Sequence, residues 1–566
     1  MTAKIEQEDP SMVANRFETH EVLNQSPAFE DVNLFVLDRP LQEAVKREAP
    51  SQSADPLVAF GAACGSAEAF ARGRLANAYP PRLATFDRKG HRLDVVEYHP
   101  AYHECMAMSV AAGLHCSAWD HLRKPSGTAI AGANVVRAAR LYLAAQMEPG
   151  HCCPLTMTNA AVPTLMLAPE LAERWLPLIL SRDYDPSFRP PELKRSLTIG
   201  MGMTEKQGGT DVRANATTAR PVDGGKASGE HLLVGHKWFM SAPMSDAFLM
   251  LAQAPGGLSC FLVPRFLPGG GANGLRFQRL KDKLGNRSNA SSEVELADAH
   301  GWLVGEEGRG VNAIIEMVTA TRLDCAISSA GLMRLALAEA VHHARHRTVF
   351  QKRRGDQPRM LQVLAERALD GEAATALAFR LARAFDGGGD PTQQAWRRLM
   401  TPITKYWVCK IAPALIYEAM ECLGGNGYVE ESILPRLYRE APVNAIWEGS
   451  GNVMCLDVLR VLQREPEVAE LIVNELQTTS EGEPILEAHL ERVLAILHEP
   501  RLIDIRARAL VEGLALAAAG ALLRAHAPAA VADAFLATRL SGAFRQTYGQ
   551  GLDRGDPEAV LARVLP

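Results

Sequence analysis

The segment Trp447-Glu448-Gly449 places a carboxylate between an indole ring and a glycine. An indole excludes water, and desolvation raises the pKa of a carboxyl group. A Glu448 side chain packed in this way would suit a general base that works near neutral pH. The alternative is a solvated glutamate at the surface or beside a helix N-cap. Backbone N–H groups for a ligand are offered by the neighbouring residues Gly449, Ser450 and Gly451.

A second candidate for chemistry is a loop rich in glycine and hydroxyl groups, which follows a β-prone stretch. Its two adjacent glycines let the backbone approach a ligand closely. Thr204 and Thr210 add hydroxyl donors, so the loop fits the polar edge and the pyrophosphate of a flavin, or is an ordinary polar turn. The residues of this candidate cofactor loop are Met201, Gly202, Met203, Thr204, Glu205, Lys206, Gln207, Gly208, Gly209 and Thr210.

The third candidate is the aromatic stretch from Gly235 to Ser241. Phe239 and Met240 could cover a flat ring, and the Ser241 hydroxyl could donate a hydrogen bond to it. The alternative is a strand of the β core with a buried Trp-Phe pair.

The elements that must position these segments follow an α, β, α order. Residues 1–195 form a polar arm and then a mostly helical, Ala- and Leu-rich region. Six short β-prone stretches separated by Gly- and Pro-rich turns predict a small all-β domain over 196–305. Long helical patterns with few breakers predict a four-helix bundle over 306–462. A further helical segment, 463–566, ends the chain, and the predicted fold class is α+β.

Composition excludes several classes of protein. The chain has 566 residues, 47% of them hydrophobic, and 60 Lys+Arg against 65 Asp+Glu give a formal charge of −5. These values exclude a disordered chain. The N-terminus has no apolar signal-peptide core, and the most apolar stretch, Gly513–Leu523, is shorter than a membrane span. The ten scattered cysteines indicate a reducing compartment, so we expect a cytoplasmic protein without a membrane partner.

Two smaller questions concern cysteine and metal chemistry. No spacing of Cys or His residues indicates a metal site. The adjacent pair Cys152-Cys153 could be redox-active, or it could be two ordinary buried thiols.

The order and spacing of these segments resemble the acyl-CoA dehydrogenase family of flavoproteins. The motifs that carry the resemblance are MTEKQGGTD, GHKWFMS, KDKLGNR, GGNGY and IWEGS, from about Met201 to Arg460. A narrower resemblance covers more of the chain. It is to the AidB branch of this family, an adaptive-response flavoprotein that is induced by DNA alkylation. It includes GMGMTEKQGG, GGLSCFLVPRFLP, LPRLYREAPVN and IWEGSGNVMCLDVLRVL, and it is weakest after about Pro466.

The resemblance implies a cofactor, a reaction and an assembly. FAD would lie against the β domain, with Met201–Thr210 at the ring edge and pyrophosphate and Phe239–Ser241 along the isoalloxazine. Residues 446–456 would close over the ring, and Glu448 would take the α-proton of an acyl-CoA thioester while the β-hydride passes to the flavin. Arg347 would reach the pyrophosphate of a neighbouring subunit in a homotetramer.

The chain departs from the family pattern at several positions. Phe239 stands where the family has Trp, Ser241 where it has Thr, and Gln351 where it has Gly. The base position of some other branches holds Thr321 here, which leaves a single candidate base. Trp447 in place of the family's Tyr would narrow the acyl pocket.

The AidB branch also implies binding of double-stranded DNA through the C-terminal region. From Glu465 to Pro566 there are 9 Arg and no Lys against 15 acidic residues, which gives −6, whereas from Arg501 onward 8 Arg against 6 acidic residues give +2. Solvated helix arginines are the alternative. The candidate phosphate contacts are Arg460, Arg501, Arg506 and Arg508.

The sequence therefore favours an FAD-containing, AidB-like acyl-CoA dehydrogenase homologue. We expect it to act in the response to DNA alkylation, with sequence-independent DNA binding and weak acyl-CoA dehydrogenation. One rival is a metabolic acyl-CoA dehydrogenase for a short or branched acyl group. Another is a flavin-stabilised protein that shields DNA without turnover.

Overall fold

The computed structural model describes residues 19–124, 127–222, 229–499, 502–542 and 556–565. Within these residues a helical N-terminal domain, a β domain and a helical C-terminal domain follow one another, and further helices end the chain. The predicted α+β organisation is confirmed.

The N-terminal domain is helical with one small antiparallel hairpin, which pairs Leu83 with Val96. The Asp38 carboxylate caps the first helix by accepting from the backbone N–H of Leu41 at 3.0 Å. The elements are α1 (Arg39–Glu48), α2 (Asp55–Cys64), α3 (Ala67–Ala78), β1 (Arg82–Phe86), β2 (Arg92–Glu97), α4 (Pro100–Ala111), α5 (Ala133–Met147), α6 (Cys152–Leu165) and α7 (Pro169–Ile179).

The β domain is built on one seven-stranded sheet in the order β3-β6-β4-β5-β9-β7, with β8 beside β9, and an extra β6–β7 pairing bends it back on itself. Its interior is apolar, and Phe248, Phe261 and Phe277 are completely buried. The strands are β3 (Ile199–Gly202), β4 (Thr218–Pro221), β5 (Glu230–Ser241), β6 (Ala247–Ala254), β7 (Gly257–Pro264), β8 (Leu275–Leu280) and β9 (Ser291–Val304).

The C-terminal domain is organised around three long helices, of which α8 has 37 residues. The ion pair between Arg137 of α5 and Asp324 of α8, at 2.6 Å and almost fully buried, joins this domain to the first. The elements are α8 (Gly310–His346), β10 (Thr348–Val349), β11 (Lys352–Arg353), α9 (Pro358–Ala384), α10 (Pro391–Ala395), α11 (Thr401–Leu423), α12 (Gly425–Tyr428), α13 (Leu434–Asn444) and α14 (Gly451–Arg464).

The last helices pack against the C-terminal domain. They are α15 (Pro466–Ser480), α16 (Pro484–Ala495), α17 (Ile503–His526), α18 (Ala529–Phe535) and α19 (Pro557–Leu561). Among the described helices α17 is long and apolar enough to cross a membrane, but 61% of its most apolar window is buried inside the protein. It contacts α9 and α11, as expected for a core helix.

Two details differ from the sequence-based prediction. The β1–β2 hairpin lies in a region that we predicted to be helical, and β4 falls between two of the predicted strands. Helix α5 begins at Ala133, because Gly132 has a left-handed backbone (φ 80°) that stops the helix from extending further toward the N-terminus.

Candidate active site and cofactor cradle

Glu448 lies in a strained turn between α13 and α14. Its φ of 58° is left-handed, which costs free energy for any residue with a side chain, and Gly449 follows with φ 104°. Two cations hold this turn by its carbonyl oxygens. Arg322 Nε donates to Glu448 O at 3.0 Å, and Lys405 Nζ donates to Gly449 O at 2.8 Å.

The surroundings of Glu448 favour a base of moderate strength. Burial raises the pKa of its carboxyl group, while a hydrogen bond from Thr321 and the charges of Arg322 and Lys405 oppose that rise. Thr321, which occupies the alternative base position, therefore lies beside Glu448. The sequence-based expectation of a raised pKa agrees in direction, and its physical cause is desolvation.

The Glu448 segment and the candidate cofactor loop meet on one hydrophobic cluster. Met201 and Met203 of the candidate cofactor loop and Trp447 all pack against buried side chains of α6, β6 and β7. The Trp447 indole donates from Nε1 to Asn444 Oδ1 at 3.1 Å, which fixes the ring over this cluster. The structure thus brings Glu448 close to the β domain, although about 240 residues separate it from the loop in sequence.

A chain of polar groups lies at the end of β5, next to this cluster. Ser241 Oγ is 3.2 Å from Ser291 Oγ, which in turn accepts from Lys283 Nζ at 3.1 Å. Burial lowers the pKa of Lys283 to about 8. Cys153 lies near Ser241, Lys283 and Glu448, and burial raises the pKa of its thiol to about 11. The Ser241 hydroxyl is therefore held in a fixed polar setting at the candidate ring site.

The candidate cofactor loop is anchored from inside. Glu205 and Lys237 form a completely buried ion pair at 2.8 Å, and the Glu205 carboxylate also accepts from the backbone N–H of Ala216 at 2.7 Å. The loop backbone bonds to β5 where Trp238 N donates to Thr204 O at 2.9 Å. Glu205, predicted as a cofactor contact, is thus a loop anchor. Lys206, Gln207, Gly209 and Thr210 are exposed, and Gly202 and Gly208 are not.

The aromatic stretch of β5 divides between surface and core. The strand register slips between Lys237 and Met240, which marks a bulge. Phe239 is consequently 53% exposed, whereas Met240 is completely buried in the β core. The Met240 side chain, which was predicted to line the flavin, points into the core instead. The neighbouring Trp238 ring is covered by Lys281, whose Nζ lies 3.2 Å from the ring centre.

Arg347 lies far from this cluster. It follows α8, and the 25 residues from Arg322 correspond to about 37 Å along the helix. Within the chain its guanidinium donates to the backbone oxygen of Asn24, whose side chain bonds both backbone groups of Thr348 at 2.7 Å. The side chain of Asn426, in the Gly-Gly motif, donates to Gln25 at 3.1 Å.

The arginines predicted to contact DNA have different surroundings. Arg460 is mostly exposed and lies 3.7 Å from Asp457, and Arg506 pairs with Glu499 at 3.1 Å. Arg508 Nε donates to Asn452 Oδ1 at 2.9 Å. This guanidinium therefore contacts the first turn of α14, the helix that follows Glu448. Arg501 lies outside the described residues.

Asp457 contacts both Arg460, a candidate DNA contact, and Arg322, which holds the backbone of the candidate base Glu448. One of its carboxylate oxygens accepts from Arg322 at 2.6 Å, and the other lies 3.3 Å from Arg398 and 3.7 Å from Arg460. The same Arg322 holds the Glu448 carbonyl. A single carboxylate therefore organises three arginines behind the turn.

The thiols give no sign of redox chemistry. All ten cysteines are free and buried. Burial raises the pKa of Cys152 well above its usual value, and low-pKa, accessible thiols are the reactive kind. Over the residues with a described position, no three His, Cys, Asp or Glu side chains are grouped to hold a metal ion.

Sequence reasoning missed the residues that act from a distance. Lys405, Arg322 and Lys283 reach the site from α11, α8 and the loop before β9. The available signal was a charged residue inside a helix that is otherwise apolar, as at Lys405, since a lysine there needs a partner.

Three family matches cover most of the chain. They are the AidB N-terminal domain over residues 24–186, the acyl-CoA dehydrogenase middle domain over 200–299 and the acyl-CoA dehydrogenase C-terminal domain over 308–463.

Relatives of known name agree with these matches. The chain is 50% identical to AidB of Escherichia coli (strain K12) across 81% of this chain and 83% of that protein. Its fold matches Caenorhabditis elegans ACDH-11, solved in complex with C11-CoA, with a TM-score of 0.84 and 27% identity over 95% and 97% of the two chains. The apo form of Bd2924 matches with a TM-score of 0.81 and 28% identity over 89% and 99%. The chain therefore belongs to the acyl-CoA dehydrogenase family, and within that family to the AidB branch.

Proposed function

We propose that the protein is an FAD-dependent oxidoreductase that introduces a double bond between the α and β carbons of an acyl-CoA thioester. The observation that carries this proposal is the position of Glu448. Its carboxylate is held on a strained, cation-clamped turn, and the adjoining Trp447 packs on the same hydrophobic cluster as Met201 and Met203.

The residues present suit a flavin dinucleotide. Phe239 and Ile446 are 53% and 65% exposed, an apolar surface that a ring would cover. Ser450 makes no side-chain cap at the start of α14, so the N–H groups of that helix remain open to a phosphate. Gly449 is required by the packing of this turn, because a Cβ there would lie 2.6 Å from Met454. The side chain of Ser241 would hold the ring edge.

The chain's own residues would then divide the work. Bound FAD supplies the hydride acceptor. Glu448 removes the α-proton, and desolvation makes it a stronger base than a surface carboxylate. Arg322 and Lys405 keep its backbone in place, and the apolar cluster around Trp447 excludes water from the reacting carbons.

A short or branched acyl group is the substrate class that the surroundings favour. Trp447 and Trp119 both pack against the cluster that faces Glu448. Trp119 is itself fixed, because its Nε1 donates to Asn159 O at 2.9 Å. The Trp447 indole leaves less room than the tyrosine that the family has at this position, so a long straight acyl chain would fit poorly.

We expect the purified protein to be yellow, with FAD bound in about one equivalent per chain. The physical reason is the combination of exposed apolar surface, open helix N–H groups and a glycine turn around Glu448. Absorbance and flavin release on denaturation measure the content. Addition of isovaleryl-CoA and butyryl-CoA with an artificial electron acceptor then tests turnover. A colourless protein that takes up no added FAD would contradict the proposal.

The distance between the two ends of α8 supports an assembly of several chains. Arg347 lies about 37 Å along the helix from Arg322, which is beside Glu448. Arg347 and Glu448 of one chain are therefore too far apart to contact the same FAD molecule. Phe350, three residues after Arg347, is 88% exposed, and Tyr428 of α12 is 78% exposed. We infer a homotetramer in which Arg347 serves the pyrophosphate held by a neighbouring subunit.

DNA binding is a second proposed activity, supported by the AidB relationship and by the exposed guanidiniums of Arg460 and Arg506. Both lie near acidic partners, at 3.7 and 3.1 Å, so the attraction to DNA would be moderate. Contacts would go to phosphates, because the described tail exposes few aromatic side chains for base stacking.

We expect binding of a labelled duplex to weaken steeply with salt, whatever its sequence. Each arginine that contacts a phosphate contributes about 0.9 to the log–log salt slope, so Arg460→Ala should flatten the slope by that amount. Fluorescence anisotropy at several salt concentrations measures this slope. Arg220→Ala, on the β domain, is the control that should leave it unchanged. No binding at low salt would remove DNA from the function and leave the metabolic alternative.

A further inference from the structure

A buried lysine lies beneath the turn that carries Glu448. Lys405 lies in the second turn of α11 and is 1% exposed. Its ammonium donates to Gly449 O at 2.8 Å, while Arg322 donates to the preceding carbonyl at 3.0 Å. Two successive peptide carbonyls therefore each accept a hydrogen bond from a cation.

The two cations differ in their own partners. Arg322 forms an ion pair with Asp457 at 2.6 Å, and Arg398 and Arg460 share that carboxylate. Over the residues that have a described position, no carboxylate comes within 4 Å of the Lys405 ammonium. An unpaired buried charge is costly, and groups of this kind concentrate at functional sites.

The positive charge of Lys405 acts to lower the pKa of the Glu448 carboxyl group. The titratable and charged groups that face this carboxylate are Arg322 and Cys325 of α8, Lys405 of α11 and Cys153 of α6. The two thiols are neutral at physiological pH because burial raises their pKa values. Among these groups Lys405 and Arg322 alone are positive, and Arg322 is ion-paired with Asp457.

We propose that Lys405 is a positioning residue that fixes the left-handed turn at Glu448 through the Gly449 carbonyl and favours the ionised form of the Glu448 carboxylate. This role rests on the proposed function, in which Glu448 is the base. The positive charge offsets part of the desolvation that opposes ionisation. The hydrogen bond holds the carboxylate where a substrate proton would be.

Substitution of Lys405 separates the two parts of this role. Lys405→Gln keeps an N–H donor for the carbonyl but removes the charge, and Lys405→Met removes both. We expect either variant to move the acid limb of the pH–rate profile upward by about one pH unit, as loss of one positive charge at a moderate distance would. Lys405→Met should in addition lower kcat at the optimum pH. Lys405→Arg should keep the acid limb of the native protein.

Lys410 provides a matched control, because it is an exposed lysine on the same helix. Lys410→Gln should leave the profile unchanged. An acid limb that does not move in Lys405→Gln, with FAD content equal to that of the native protein, would overturn the proposal. If Lys405→Met does not fold, Lys405→Gln and Lys405→Arg decide the question by themselves.

A second readout needs no turnover. Ionisation of a carboxylate beside the ring shifts the absorbance of bound flavin, so the pH transition of that spectrum reports Glu448 directly. It should be absent in Glu448→Gln and displaced upward in Lys405→Gln. A native protein that binds FAD but oxidises no acyl-CoA would contradict the proposed function while this titration still tests Lys405. An unshifted transition would reject the role of Lys405.

Discussion

Glu448→Gln should lower kcat/KM for acyl-CoA dehydrogenation by about 10²- to 10⁴-fold, the usual contribution of a positioned general base. Glutamine has the same size and fits the left-handed backbone equally well, but its amide cannot take the α-proton. Thr321, at the alternative base position, carries a hydroxyl group, which is a far weaker base than a carboxylate and is not expected to take over the α-proton. Initial rates with the best acyl-CoA of a panel measure the effect.

The comparison needs a matched control. Glu431→Gln removes an exposed carboxylate in the loop before α13 and should leave the rate unchanged. FAD content should be equal in all three proteins. A rate for Glu448→Gln within about twofold of the native rate would show that this carboxylate is not the base.

Lys237→Met should destabilise the protein by about 3–5 kcal/mol, because it leaves the Glu205 carboxylate buried without a counter-ion. The two side chains are completely buried and 2.8 Å apart, and Lys237 also donates to Leu251 O at 2.8 Å. Urea unfolding followed by tryptophan fluorescence measures the change. The double variant Lys237→Met with Glu205→Gln should recover part of the loss, because the unpaired charge is gone.

The exposed pair Arg220–Asp298 on the same domain is the control. Its side chains are 63% and 61% exposed, and Arg220→Met should cost less than about 1 kcal/mol. An equal loss of unfolding free energy in Lys237→Met and Arg220→Met would mean that the buried Glu205–Lys237 pair stabilises the protein no more than the exposed pair.

The same pair makes stability depend on pH. Burial raises the pKa of Glu205, but Lys237 and the hydrogen bonds from Thr217 and Ala216 lower it by more, to about 2. A carboxylate whose pKa is depressed on folding stabilises the native state above its ordinary pKa of about 4.5 and loses that contribution as the pH falls toward 2. The native protein should lose urea resistance across this window, and Lys237→Met should lose less there.

Local patterns were enough to predict the sheet, the long helices and the glycine-flanked glutamate. β-prone stretches and Gly-Pro turns identify strands because their signals lie within a few residues of one another. The Glu448 turn was recognisable for the same reason, since indole, carboxylate and glycine are adjacent.

Contacts between distant residues could not be predicted in this way. Arg322 and Glu448 are 126 residues apart, and Glu205 and Lys237 are 32 apart. A loop glutamate with its counter-ion on another strand has the same local sequence whether it binds a ligand or an internal lysine, and Glu205 binds the lysine. Met240 was misplaced because a bulge shifts the alternation of β5, and a bulge of this kind has no strong sequence signal.

The length of α8 has a consequence for mixtures of subunits. If Arg347 completes the cofactor site of a neighbour, one chain contributes Glu448 to its own site and Arg347 to another. In a mixed pair, a Glu448 variant still lends an intact arginine, and an Arg347 variant still keeps an intact glutamate. One of the two sites is then whole, although each variant alone is inactive. A gene copy that encodes the Glu448 variant and one that encodes the Arg347 variant would therefore restore activity when expressed together. Such complementation is expected when one helix contributes to two active sites.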